Sequence, residues 1–232
     1  MEISELAPRV KGQERSDSPL EAVIPGEVMA TYCWEEALTV YCRINPSHAT
    51  KITGSRLIDE DSSLHEAAER VLALMAGQHP DLVMKEVGRW IVNEKEGWRL
   101  QFRGCLSLIV AVPPYVVMVW LENAGLRGAR KIASSLPRPF LDELGKPVVP
   151  TLTQMVLTRF GSDEKVIRGF TCGSGVRSYS GDIAVQKLEE AKVAAQFLDD
   201  PLAAIREWAR GEKLSLEHEA ELWHQKNAER YI

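Results

Sequence analysis

Apolar residues recur at three- and four-residue spacing along most of the chain, with polar residues between them, which is the signature of amphipathic helices. From Ser63 the pattern is nearly continuous. Ser63 and Glu66 form a capping-box pair, and Ala67, Val71, Leu74 and Met75 follow on one helical face. A second helix opens at Pro80 and carries Leu82, Val83, Val87, Trp90 and Ile91. The same reading predicts helices over about 26–44 and from Trp98 through Phe102, Leu106 and Ile109 to Pro113-Pro114. Further helices are predicted over 115–122, 126–136, 148–160, 163–170, 183–198, 201–210 and 215–231. Residues 45–63, with Gly54 and the run Asp59-Glu60-Asp61, read as a long polar loop. Residues 137–147 read as a proline-rich connection and 171–181 as a Gly/Ser loop. No segment reads as a strand. The expected organisation is a flexible N-terminal arm over 1–25, marked by Pro8, Pro19 and Pro25, and one all-helical domain over 26–232.

Several helices share an opening: proline, an aliphatic run, then a bulky aromatic. The stretches are HPDLVMKEVGRW from His79, PPYVVMVWLEN from Pro113, DDPLAAIREWA from Asp199 and a weaker copy, VVPTLTQMVLTRF, from Val148. Their prolines at 80, 114, 150 and 201 lie 34, 36 and 51 residues apart. The first two intervals match helix-pair repeats, and the third leaves room for an insertion. Proline suits a first helical turn, where its missing N–H has no partner to lose. A helix pair cannot bury its own apolar face, so stacking is what stabilises it, with Trp90, Trp120 or Trp208 filling the space between layers.

GLRGARKIASSLP (125–137) looks like the second helix of such a repeat, and FGSDEKVIRGF (160–170) like the turn between paired helices. Over about 63–210 the chain thus resembles the HEAT/armadillo class of α-helical repeat proteins. The resemblance implies an α-solenoid of stacked helix pairs; an irregular helical bundle is the alternative. It rests on pattern more than on identity.

Composition changes the picture little. Hydrophobic residues make up 45% and charged residues 26%, as in a soluble globular protein. A formal net charge of −5 argues against nucleic-acid binding by the surface as a whole. Cys33, Cys42, Cys105 and Cys172 show no paired spacing and the N-terminus has no apolar signal core, so a reducing, cytoplasmic setting is expected. The stretch from Cys105 to Leu121 is 17 residues without a charge, at the short edge of a membrane span, but Pro113-Pro114 divides it. No membrane association is expected.

Local charge is more informative. Between Arg127 and Arg177 nine basic residues face four acidic ones, whereas 178–232 holds eleven acids and seven bases. Arg127, Arg130, Lys131, Arg159, Lys165, Arg168 and Arg177 therefore form a candidate binding stripe for nucleic acid or an acidic protein, set against its reading as an ordinary solvated face. The loop GFTCGSGVRSYSGD (169–182) offers backbone N–H groups and Arg177 to an anion, but lacks a P-loop lysine; a connecting loop is the simpler account. Glu221-x-x-His224, with Glu217 on the same face, has di-iron ligand spacing but no second copy. No metal site, cofactor or catalytic grouping is expected.

The leading functional expectation is a non-enzymatic helical-repeat module or scaffold that binds a partner protein within a larger assembly. It follows from the fold resemblance. The alternative is a nucleic-acid-binding HEAT-like protein using 127–177, extending to a DNA-repair enzyme. One group of bacterial alkylpurine DNA glycosylases is built of HEAT-like repeats. By that resemblance Trp90, Trp98, Trp120 and Trp208 with Asp163 would cradle a damaged nucleotide, although no local motif of that group is present.

Overall fold

The computed structural model describes residues 28–59, 64–93, 108–172 and 182–229. The N-terminal arm, Ser63, Trp98, Cys105 and Arg177 lie outside the described residues. The described residues are mostly helical, in two compact units. The first holds 28–59, 64–90 and 108–112; the second holds 91–93, 113–172 and 182–229.

In the first unit the helices are α1 (Val28–Ile44), α2 (Pro46–Ile58), α3 (His65–Gln78), α4 (Pro80–Ile91) and the single turn α5 (Leu108–Ala111). Helices α1, α2 and α3 pack on one another, and α5 packs on α3. The core is apolar, with Trp34, Leu38, Leu57, Leu72, Met75 and Met84 fully enclosed. Leu74, expected on the inner face of α3, is 47% exposed.

Helix α2 corrects the loop expected over 45–63. Asn45 accepts a hydrogen bond from the His48 N–H, and Pro46 takes the first helical position. The inward face of α2 is built from Ala49, Thr50, Ile52, Thr53 and Leu57. The Thr50 and Thr53 hydroxyls donate to the carbonyls of Pro46 and Ala49, so they enter the interior with their hydrogen bonds made. A face built from threonine and alanine reads as polar in sequence, which hid the helix. Gly54 admits the Trp90 ring of α4: a Cβ there would lie 2.3 Å from the ring.

The second unit holds α6 (Pro114–Ile132), a 3₁₀ turn (Ala133–Ser135), α7 (Thr151–Phe160), α8 (Glu164–Cys172), α9 (Ile183–Ala195) and α10 (Ala203–Glu229). Helix α6 joins the two segments expected over 115–122 and 126–136, and kinks at Gly125, whose φ of 59° suits glycine. A short hairpin corrects the expectation of no strand: β1 (Phe140–Leu141) pairs antiparallel with β2 (Pro147–Val148). Asp142 Oδ1 accepts from the Leu144 and Lys146 N–H groups to close its turn. Two-residue strands lie below what an alternation pattern can reveal.

Helix α10 is a third correction, since it runs unbroken through the interval expected to separate 201–210 from 215–231. Gly211 lowers helix propensity there, but burial of Trp208 and Ala209 before it and of Glu212 and Leu216 after it carries the helix across. Helix α8 likewise extends through Cys172, so Gly169–Cys172 are not part of a loop; the Thr171 hydroxyl bonds the Ile167 carbonyl.

All four repeat-defining prolines stand at helix starts: Pro80 and Pro114 are first residues, Pro150 is the cap of α7, and Pro201 lies just before α10. Trp90 and Trp208 are buried, while Trp120 is half-buried. Around Trp208 the rings of Phe170 and Phe197 lie 5.9 Å away, each centroid to centroid. No helix among the described residues is long and apolar enough to cross a membrane.

Candidate functional site

Six of the seven stripe residues are described, on three helices of the second unit. Arg127, Arg130 and Lys131 end α6, Arg159 lies near the end of α7, and Lys165 and Arg168 lie on α8. These helices pack on one another, so the six residues are carried by one set of mutually packed helices. Arg127, Arg159, Lys165 and Arg168 are exposed and Lys131 is half-buried.

Arg130 differs from the rest because its guanidinium is already engaged. Its Nε and Nη2 donate to the two Asp163 oxygens at 2.9 and 2.5 Å, the bidentate geometry that suits a planar fork. Asp163 also starts α8, where Oδ1 accepts from the Lys165 and Val166 N–H groups, each at 3.1 Å. The Arg130 hydrogen bonds, with those two N–H groups, hold the Asp163 carboxyl down at about 2. Asp163 thus ties α6 to α8 and caps α8. Ionised and hydrogen-bonded through both oxygens, this carboxylate is a structural joint between the two helices.

The first unit contains a matching joint. Arg70 on α3 grips Glu35 on α1 through Nη2 at 2.8 Å and Nε at 3.2 Å, and these hydrogen bonds hold the Glu35 carboxyl below its ordinary value. Arg70 also lines a cavity of about 510 Å³ beside Glu66, Glu69 and Leu108. Among the described residues lining it, the ionisable side chains are Glu66, Glu69 and Arg70.

The second unit carries charge in its interior. Lys187 of α9 is 6% exposed and donates to Glu219 of α10, which also accepts from Ser215. Glu212 is 8% exposed and lines a cavity of about 180 Å³ with Arg138, Glu190 and Trp208. The Arg138 guanidinium lies 4.5 Å from the Phe170 ring centroid, a cation–π contact. In the sequence Arg138 is one of the nine bases between 127 and 177, and Glu212 falls in the interval expected to separate two helices; Lys187 alone gives a local signal, its helical spacing from Ala184, Ala191 and Ala194.

Glu221 and His224 are exposed on α10, and among the described residues no group of three or more His, Cys, Asp or Glu side chains could hold a metal ion. Cys33 and Cys172 are exposed free thiols. Cys42 is buried, and burial pushes its thiol pKa up. Of the tryptophans proposed to cradle a base, Trp90 and Trp208 are enclosed in separate cores, while Trp98 lies outside the described residues. No protein-family model matches the chain, and neither a curated protein nor a solved structure matches it.

Proposed function

We propose that this chain works by binding, as a helical module of stacked pairs that docks a partner protein. The observation that carries this reading is on α6, where Tyr115 and Val119, one turn apart, are 63% and 56% exposed. Aromatic and branched side chains left in water on a well-packed helix favour burial against another surface. The prolines at 80, 114, 150 and 201 support a stacked, HEAT-like arrangement, because each stands at a helix start or within two residues before one. The test compares affinity capture from a native extract using the unaltered chain and Tyr115→Glu/Val119→Glu. A stoichiometric partner retained by the first and lost from the second is the expected result. A chain that purifies alone in both forms overturns the reading.

A second reading, nucleic-acid binding, is favoured by the clustering of six basic residues on α6, α7 and α8. Its test is titration of duplex and single-stranded DNA and RNA across a salt series. Charge reversals belong at Arg127, Lys165 and Arg168, because reversing Arg130 would also break the joint to Asp163. Binding that weakens steeply with salt and disappears in those variants supports it; no binding at low salt removes it. A glycosylase-type activity draws less support, since Asp163 is engaged and Trp90 and Trp208 are buried.

A further inference from the structure

Helices α9 and α10 form an antiparallel hairpin whose register is marked by Lys187, early in α9, reaching Glu219, well along α10. On its outer side the pair leaves a groove of about 250 Å³. Val185 and Leu188, 50% and 37% exposed, line one end, and small alanines, Ala191 and Ala195, line the rest. Four charges rim it. Glu189 pairs with Lys192 along α9 at 2.7 Å, and Lys213 pairs with Glu217 along α10 at 2.8 Å.

The order of these groups is self-complementary. Acid precedes base on α9 and base precedes acid on α10, and the helices run in opposite directions. In the register set by Lys187 and Glu219, the midpoints of the two ion pairs fall at the same level of the hairpin, opposite Ala191. One two-fold axis through that level, lying across the hairpin, would set a second copy face to face and antiparallel. Lys213 would then meet Glu217 of the other copy, and Glu189 would meet Lys192. The same rotation brings the bulky end of one groove, Leu188, over the alanine end of the other. A two-fold axis parallel to the helices would instead oppose like charges. Exposed pairs within one chain are held weakly, so exchanging them for pairs between chains costs little.

We propose that this face is a homodimer contact, with a second copy of the chain as its occupant. This goes beyond the partner-binding reading and does not rest on it, since it uses a different surface. The experiment is sedimentation equilibrium of the purified chain from micromolar to several hundred micromolar, at low and moderate salt. The expected result is a rise from one-chain to two-chain mass. Leu188→Glu should weaken association by more than about tenfold, because the substitution enters twice across the axis. Lys213→Glu alone should also weaken it, whereas Lys213→Glu/Glu217→Lys together should restore it to within a few-fold, because the swapped pair is again self-complementary. Circular dichroism and thermal melts establish that each variant retains its helices. A one-chain mass at the highest concentration overturns the proposal. So does a dimer that Leu188→Glu leaves intact, or one that the charge swap fails to recover.

Discussion

The two units solve the same packing problem with different interiors. The first encloses an apolar core, admits threonines whose hydroxyls bond their own helix, and gains close approach by placing Gly54 under Trp90. The second builds around Phe170, Phe197 and Trp208 and takes Lys187 and Glu212 inside with them. Each also has one bidentate arginine–carboxylate joint across two helices. The joints differ in one respect that matters: Asp163 caps a helix as well as gripping Arg130, whereas Glu35 only grips Arg70. A carboxylate with two jobs is worth more to its unit than one with a single job, although their charges and geometries look alike.

The second core is the more sensitive to loss of a single side chain. Trp208→Ala should destabilise by about 3–5 kcal/mol, the usual cost of emptying a buried aromatic position, with hydrogen-exchange protection lost first in α8, α9 and α10. Chemical denaturation gives the magnitude and exchange gives the location. The first unit should respond most to overfilling. Gly54→Ala forces the Trp90 ring to move and should cost about 1–3 kcal/mol, with protection lost first in α2 and α4.

Smaller effects are expected at the two arginine–carboxylate joints. Asp163→Ala removes both pair and cap, while Asp163→Asn keeps an oxygen that can cap but gives up the charge, so the melting temperature should fall further in the alanine variant. Because the folded Asp163 pKa is depressed from 3.8 to about 2, its contribution is present in full above pH 4 or so and is lost as the pH falls through about 2. An acid titration of stability should therefore lose part of its slope in that window when Asp163→Asn is introduced. Glu35→Gln should produce the smallest change, on the same acid side, since the Glu35 carboxyl is also held down by its arginine but caps nothing. A larger effect at Glu35 than at Asp163 would reverse the ranking of the two joints.

Most helices were legible because their inner faces use large aliphatic residues at helical spacing, as in α3 and α4. Their starts were legible because Pro80, Pro114, Pro150 and Pro201 stand where a helix has no use for an N–H. The break expected between 122 and 126 is a kink within one helix, at Gly125, whose backbone angle other residues resist. Helix α2 escaped notice because threonine and alanine carry little hydrophobic signal, and its burial depends on α1 and α3 arriving from elsewhere in the chain. The unbroken course of α10 escaped notice because Gly211 resembles a stop until its neighbours are seen to be buried.

The candidate stripe divides in the same way. Its composition was visible as a run of bases, but two facts about it are tertiary. Helices α6, α7 and α8, which carry the residues, pack on one another, and Arg130 is taken out of the set by an aspartate 33 residues away. By itself the sequence determined a mostly helical chain, the places where most helices begin, and a basic segment between acidic ones. Those properties follow from local periodicity, backbone preference and charge count. Only the tertiary structure decided which charges are joints, which are buried, and which remain on the surface to meet a partner. An ion pair or a close ring contact forms between residues far apart in the chain, and no local pattern records that meeting.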